Sequence, residues 1–241
     1  MTHTEYQSQN SVSVIRSIYI VKLVLLIVLV SSSMMGCIGP TKFTRLVQTK
    51  IDTDNTVLYE NPINTTFDFS RLPHLNAPVV STKLKSIFVP AIIVWYSNVT
   101  IKCDISPALT GETFRDHFSF FADSLNLQEK LNGQKLEIAV EKVPSSFVYS
   151  QSTTAIFALV AAISSSNVYI QPLDQKLVVR YKVSNDSGMV KEGTVEAYKK
   201  ELPYGNLRWS TKKFVWNYMD RFKRTNRILS LEIVEKLLKE L

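Results

Sequence analysis

Lys176-Leu177-Val178-Val179-Arg180-Tyr181-Lys182-Val183, followed by Asn185-Asp186-Ser187-Gly188, is the stretch that decides the fold. Leu177, Val179, Tyr181 and Val183 alternate with Lys176, Arg180 and Lys182, and period two marks a half-buried strand. Asn185 to Gly188 is turn chemistry, with Gly188 free to take a positive φ. Residues 189–199 then return as a second strand, so the segment reads as an antiparallel hairpin.

Working outward, the same alternation recurs. Val99, Ile101, Cys103 and Ile105 line one face of a strand whose other face carries Thr100, Lys102 and Asp104. Cys103 therefore reads as a small core hydrophobe, not a reactive thiol. Ser86–Tyr96 is apolar and β-branched and reads as a strand with Pro90 at a bulge or edge. Ser97-Asn98 is expected to join it to 99–105 as a hairpin. Leu136, Ile138 and Val140 alternate with Lys135, Glu137 and Glu141, which predicts a further strand ended by Pro144, with pairing resumed at 147–149.

Helical spacing takes over elsewhere. Phe114, Phe118, Phe121, Ala122 and Leu125 fall on one stripe, which predicts a helix over 113–127. Phe214, Val215, Tyr218, Met219 and Phe222 form a second stripe, and beyond Arg224-Thr225-Asn226 a third is formed by Leu231, Val234, Leu237, Leu238 and Leu241. Thr153–Ile163 is apolar all round, and its alanines favour a buried helix, with a buried strand as the alternative. Lys42–Ile51 reads as a first strand or an extended tether, and 52–82 as loop. Together these predict an α+β fold: a mainly antiparallel sheet of about six strands with the helices packed on one face.

Composition narrows function mostly by exclusion. Seven glycines in 241 residues leave no G-x-G-x-x-G and no P-loop. Two cysteines exclude a disulfide-stapled scaffold. A hydrophobic fraction of 45% excludes general disorder.

The amino-terminal segment stands apart from the fold. A polar stretch containing Arg16 and Lys22 precedes the apolar run Leu23–Val30, and Ser31-Ser32-Ser33-Met34-Met35-Gly36-Cys37 follows. A cationic start, a short apolar core and a small-residue exit are the parts of a secretory leader. A spanning helix needs about 20 apolar residues. Met34-Met35-Gly36-Cys37 resembles the lipobox of bacterial lipoproteins, whose usual form is Leu-Ala/Ser-Gly/Ala-Cys. That resemblance implies a signal peptide over 1–36, acylation of Cys37 and membrane attachment through lipid, with palmitate among the acyl groups. Ile38 is not the Asp that retains such proteins at an inner membrane, so the resemblance further implies an outer-membrane address facing the periplasm. The competing reading is a single-pass anchor with an incidental Cys37. The chain then divides into 1–36 leader, 37–82 lipidated tether and loop region, and 83–241 globular domain.

Removing Arg16, Lys22 and Glu5 leaves 26 cations and 20 anions, a mildly basic balance. The mature chain has two histidines, His74 and His117, and lacks His-x₃-His, Cys-x₂-Cys and Gly-x-Ser-x-Gly spacings. No catalytic residue, metal site or cofactor is indicated. The candidate interaction surface is Lys212, Lys213, Trp216, Arg221, Lys223, Arg224 and Arg227, where six cations share one segment with aromatic residues. Interleaved bases and rings suit an anionic membrane or an acidic partner. An envelope address argues against nucleic acid. The bland alternative is that the rings pack inward and the cations are solvated.

The order of elements over roughly 80–241 is similar to that of small envelope lipoproteins that serve as accessory parts of transport or assembly machines. The function this implies is non-enzymatic: a lipid-anchored component of an envelope assembly with a protein partner. The alternative is a periplasmic hydrolase or small-ligand-binding lipoprotein, for which a pocket around His74 or His117 with a carboxylate in reach is the expected sign.

Overall fold

The computed structural model describes Tyr19, Lys22 and residues 38–54, 64–90, 93–158, 161–206 and 209–241. The leader and Cys37 lie outside these, apart from Tyr19 and Lys22. Residues Gly39–Leu241 form one compact unit. Its elements are α1 (Pro40–Thr53), β1 (Thr65–Asp68), β2 (Val79–Pro90), β3 (Val94–Ile105), α2 (Pro107–Ser124), α3 (Leu127–Leu131), β4 (Lys135–Lys142), β5 (Ser146–Ala158), β6 (Ala161–Leu173), β7 (Lys176–Asn185), β8 (Gly188–Tyr198), β9 (Tyr204–Gly205) and α4 (Thr211–Glu240).

The fold class is α+β, with the described strands divided between two sheets. One has the order β1-β4-β7-β8 and the other β2-β3-β5-β6-β9. All neighbours pair antiparallel except β1 with β4. The 176–199 hairpin forms as its alternation predicts: Leu177, Val179, Tyr181 and Val183 are all buried, and Gly188 takes φ 123° at the turn.

One helix serves both sheets. α4 runs for 30 residues, about 45 Å at 1.5 Å per residue. Its carboxyl-terminal half buries Leu229, Ile233, Val234 and Leu237 with α2, α3 and the four-stranded sheet. Its amino-terminal half sets Tyr218 and Phe222 against Phe147 of β5, at ring separations of 4.9 and 6.2 Å. The two stripes expected on separate helices thus lie on one continuous helix. Arg224-Thr225-Asn226 contains no Gly or Pro to break it, and Thr225 and Asn226 are themselves buried.

Four further expectations are corrected. Lys42–Ile51 is neither strand nor tether but lies in α1. Phe43, Leu46, Val47, Lys50 and Ile51 recur at helical spacing, Pro40 occupies the first turn, and Phe43 and Val47 are fully buried. Thr153–Ile163 is not a helix. Its described residues form the facing ends of β5 and β6, with Ile156 opposite Ile163, because the ladder with β3 runs along β5 as far as Ile156 and the pairing of β5 with β6 continues it to Ala158 opposite Ala161. Nor is all of it buried: Ile156 and Ile163 are exposed. β2 runs to Pro90 and β3 begins at Val94, so the chain does not turn at Ser97-Asn98, since Ser97 and Asn98 are needed in the ladder opposite Phe88 and Ile87. The predicted helix over 113–127 begins earlier, at Pro107, and ends at Ser124.

Candidate interaction surface

α4 presents the basic segment on the side away from both half-cores, and the structure uses much of it internally. Trp216 donates its indole N–H to the main-chain carbonyl of Leu46 at 3.1 Å, joining α4 to α1. Lys212 lies 4.3 Å from the Trp216 ring centroid. Arg221 donates through Nε to the buried carboxylate of Glu201 at 3.1 Å, and its guanidinium covers Tyr204. Thr225 donates to the other oxygen of the same carboxylate. Arg227 stacks over Phe120 and Phe121 at 5.1 and 5.5 Å, and Lys223 reaches Asp54 at 3.9 Å. Lys213 and Arg224 are exposed. Phe214, Tyr218 and Phe222 pack inward, as the bland alternative has it, but Trp216 and Arg221 are not solvated as it expects: they clamp elements together. The outward cations left for a partner are Lys213 and Arg224, with the edges of Lys212, Lys223 and Arg227.

Lys50 completes the α1–α4 contact. Its ammonium lies 2.7 Å from Asp220 and 2.9 Å from Asp54. Burial opposes its charge, but the two carboxylates outweigh burial and raise its pKa.

A cleft of about 160 Å³ opens where α1, α2 and α4 meet. Asp116 lines it, 7% exposed in its side chain, with Arg115 at 3.5 Å. Its Oδ1 is buried without a hydrogen-bond partner, as is Oδ1 of Asn226 across the cleft. Burial raises the Asp116 pKa against the opposing charge of Arg115. Neither His74, which is exposed, nor His117 lines this cleft. His117 is partly buried on α2, and its Nδ1 has no partner. Burial, then Arg227 and Lys223, push its pKa down to about 4, so it is neutral at pH 7.

Cys103 is fully buried on the core face of β3, and burial pushes its thiol up to about 12. A thiol so placed is not a nucleophile at neutral pH. No group of three or more metal-ligating side chains occurs among the described residues. Among the same residues, no helix is long and apolar enough to cross a membrane.

The feature that reading the sequence missed is at the far end of the five-stranded sheet. Phe88, Val89, Ile93, Val94, Ile156 and Ile163 are large, apolar and exposed there. The signal that marks it is the spacing of charge, which the search for motifs passes over. Residues 86–101 and 143–173 contain no Asp, Glu, Lys or Arg, in a chain that is 20% charged. Comparison of the chain with family models, with curated proteins and with solved structures finds no match.

Proposed function

We propose that the chain is a lipid-anchored cell-envelope protein whose α+β domain contributes a binding surface to a larger assembly and carries out no chemistry of its own. The observation behind this reading is Met34-Met35-Gly36-Cys37 placed directly after the apolar run Leu23–Val30. Acylation at Cys37 supplies an anchor because buried acyl CH₂ groups contribute about 0.8 kcal/mol each, and two or three chains hold stably where one holds marginally. The folded unit begins immediately afterwards, with α1 starting at Pro40, so a lipid on Cys37 keeps the domain close to the bilayer. An outer-membrane location facing the periplasm goes with this reading through Ile38.

The test is the Cys37→Ser variant expressed in a bacterial envelope. The unaltered protein is expected to begin at Cys37, to label with palmitate and to partition into detergent. The variant is expected to lose the label and to keep residues 1–36. An intact leader with an unmodified Cys37 in the unaltered protein overturns the proposal. Crosslinking in envelope extracts then reads the assembly: a reproducible partner supports it, and a lone monomer counts against it.

A second reading, small-ligand binding, is favoured by the Asp116–Asn226 cleft, where Oδ1 of Asn226 is buried without a hydrogen-bond partner and Oδ1 of Asp116 has only the Arg115 guanidinium, at 3.5 Å. Both are acceptors, so the ligand class that suits them is a small amine or another hydrogen-bond donor. A thermal-shift screen of such compounds against the protein and Asp116→Asn checks it: a shift lost in the variant supports a ligand site.

A further inference from the structure

The exposed apolar residues at the end of the five-stranded sheet have an arrangement that a protein partner does not explain. The four strands β2, β3, β5 and β6 are neighbours in that order, and their two hairpin ends lie side by side. Register places Ile87, Val89, Val94, Tyr96, Ile156 and Ile163 on one face. Phe88 and Trp95, 6.1 Å apart edge to face, share the other face with Ala155. Phe88 is 56% exposed, Ile93 62% and Ile163 70%. The end of the sheet is thus apolar on both faces at once. A docking protein covers one face or one edge, whereas a bilayer surrounds such an end from all sides.

The residues behind the tip are graded as a bilayer would require. Next to the apolar end comes an uncharged polar band containing Asn98, Thr100, Ser152, Thr154, Ser165 and Asn167. Behind it, Lys83 and Lys85 are exposed on the edge strand β2, with Lys85 opposite Thr100. At about 3.4 Å per residue, Lys85 lies about 20 Å from the tip. Cations at that height meet lipid phosphates when the tip is about 10 Å deep, the reach of shallow interfacial insertion. Trp95 and Tyr96 fall between, where such rings favour the membrane interface. At this end β3 is paired on both sides from Trp95 and β5 from Ile156, whereas β2 and the near part of β6 are open edges, so the contact is a shallow one that keeps those outer main-chain groups at the hydrated interface.

The direction of α1 agrees. Phe43, near its start, packs on Tyr149 at 5.0 Å, while Ile51, near its end, shares the cleft with Ile105 at the opposite end of the sheet. The amino end of α1 is therefore the nearer of its two ends to the apolar tip, with Phe43 at the level of Ile101 and Cys103 in the ladder.

We infer that the paired ends of the β2–β3 and β5–β6 hairpins insert into the acyl region of a phospholipid bilayer, giving the domain a membrane contact of its own. This contact does not depend on acylation of Cys37.

The experiment uses the full chain, purified in detergent and reconstituted into phosphatidylethanolamine–phosphatidylglycerol vesicles that contain a phospholipid with a photoactivatable acyl chain. After illumination, adducts are mapped by mass spectrometry. The expected result is labelling in 86–96 and 154–165, with none in the hairpin end at 184–191 of the other sheet, where the exposed Met189 and Val190 lie among Asn185, Asp186 and Lys191. In Phe88→Asp/Ile163→Asp, tip adducts are expected to fall about tenfold, because a charge on a lipid-facing strand is disfavoured in proportion to its depth. Phe88→Leu/Ile163→Val should keep them. Both altered side chains are more than half exposed, and a circular-dichroism melt checks folding. If the aspartate variant does not fold, the adduct map of the unaltered protein decides the matter alone. Adducts confined to residues 1–37 overturn the inference, as do tip-to-tip crosslinks between copies without lipid adducts. The mass of the amino-terminal peptide reads acylation of Cys37 separately, so failure of the anchor and failure of the tip are distinguishable.

Discussion

The indole N–H of Trp216 points at the main-chain carbonyl of Leu46, 3.1 Å away, across 170 residues of chain. With Lys50 between Asp54 and Asp220, this contact holds α1 against α4. Trp216→Phe removes the donor but keeps most of the ring, and is expected to lower stability by about 1 kcal/mol. Trp216→Ala also removes partly buried apolar area and the seat of Lys212, with an expected loss of about 2–3 kcal/mol. Urea unfolding measures both. Hydrogen exchange should show the loss of protection concentrated in 40–53.

Arg221 and Arg224 are neighbours on one helix with different surroundings. Arg221→Ala leaves the Glu201 carboxylate, 4% exposed in its side chain, without its cation. Arg221 is itself 38% exposed, so screening reduces the effect. The expected loss is about 2 kcal/mol. Arg224→Ala should stay within about 0.5 kcal/mol. Equal effects in chemical denaturation would mean that Glu201 is not held as described.

His117 couples stability to pH. Its native pKa is pushed down to about 4, against about 6.5 in an unfolded chain. Between those values the unfolded state binds a proton that the native state refuses. Its contribution is therefore complete above pH 6.5 and lost as pH falls toward 4. Allowing for partial exposure, the difference in stability between pH 7 and pH 4 should shrink by about 2 kcal/mol in His117→Gln. Parallel stability–pH curves for the two proteins would refute this.

Gly193 lies opposite Tyr181 in the β7–β8 ladder, and a Cβ added there would sit 2.7 Å from the tyrosine ring. The ring has little freedom to move, being 1% exposed with its hydroxyl bonded to Glu240 of α4. Gly193→Ala is expected to destabilise by about 2 kcal/mol. The penalty should shrink in a Tyr181→Ala background if the ring is its cause, which a double-mutant cycle measures.

The strands over 135–142 and 176–199 were legible because their side chains see the core on one face and water on the other, so burial writes period two into the residues. The α2 stripe and both α4 stripes were legible for the same reason at helical spacing. Cys103 was placed correctly by its alternation alone. Thr153–Ile163 was not legible, because an apolar run without polar alternation has no period to read, and strand pairing, with β3 as far as Ile156 and between β5 and β6 beyond it, overrode the helical preference of its alanines. α1 was missed because only Phe43 and Val47 of its stripe are fully buried, while Lys50 and Asp54 complete the contact through charge.

The amino-acid sequence by itself determined the α+β class, the positions of β4, β7, β8, α2 and α4 and the core face of β3, the absence of common nucleotide and zinc motifs, and the leader-like segment ending at Cys37. Each of these is local chemistry, carried by neighbours in the chain. Only the tertiary structure decided that the strands form two sheets served by one helix, and that Trp216 and Arg221 work inside the molecule. It also decided that two charge-free segments more than 40 residues apart, 86–101 and 143–173, end side by side. Strand pairing across long loops is set by which backbone edge is open and which faces can be buried together, and no window of sequence contains both partners.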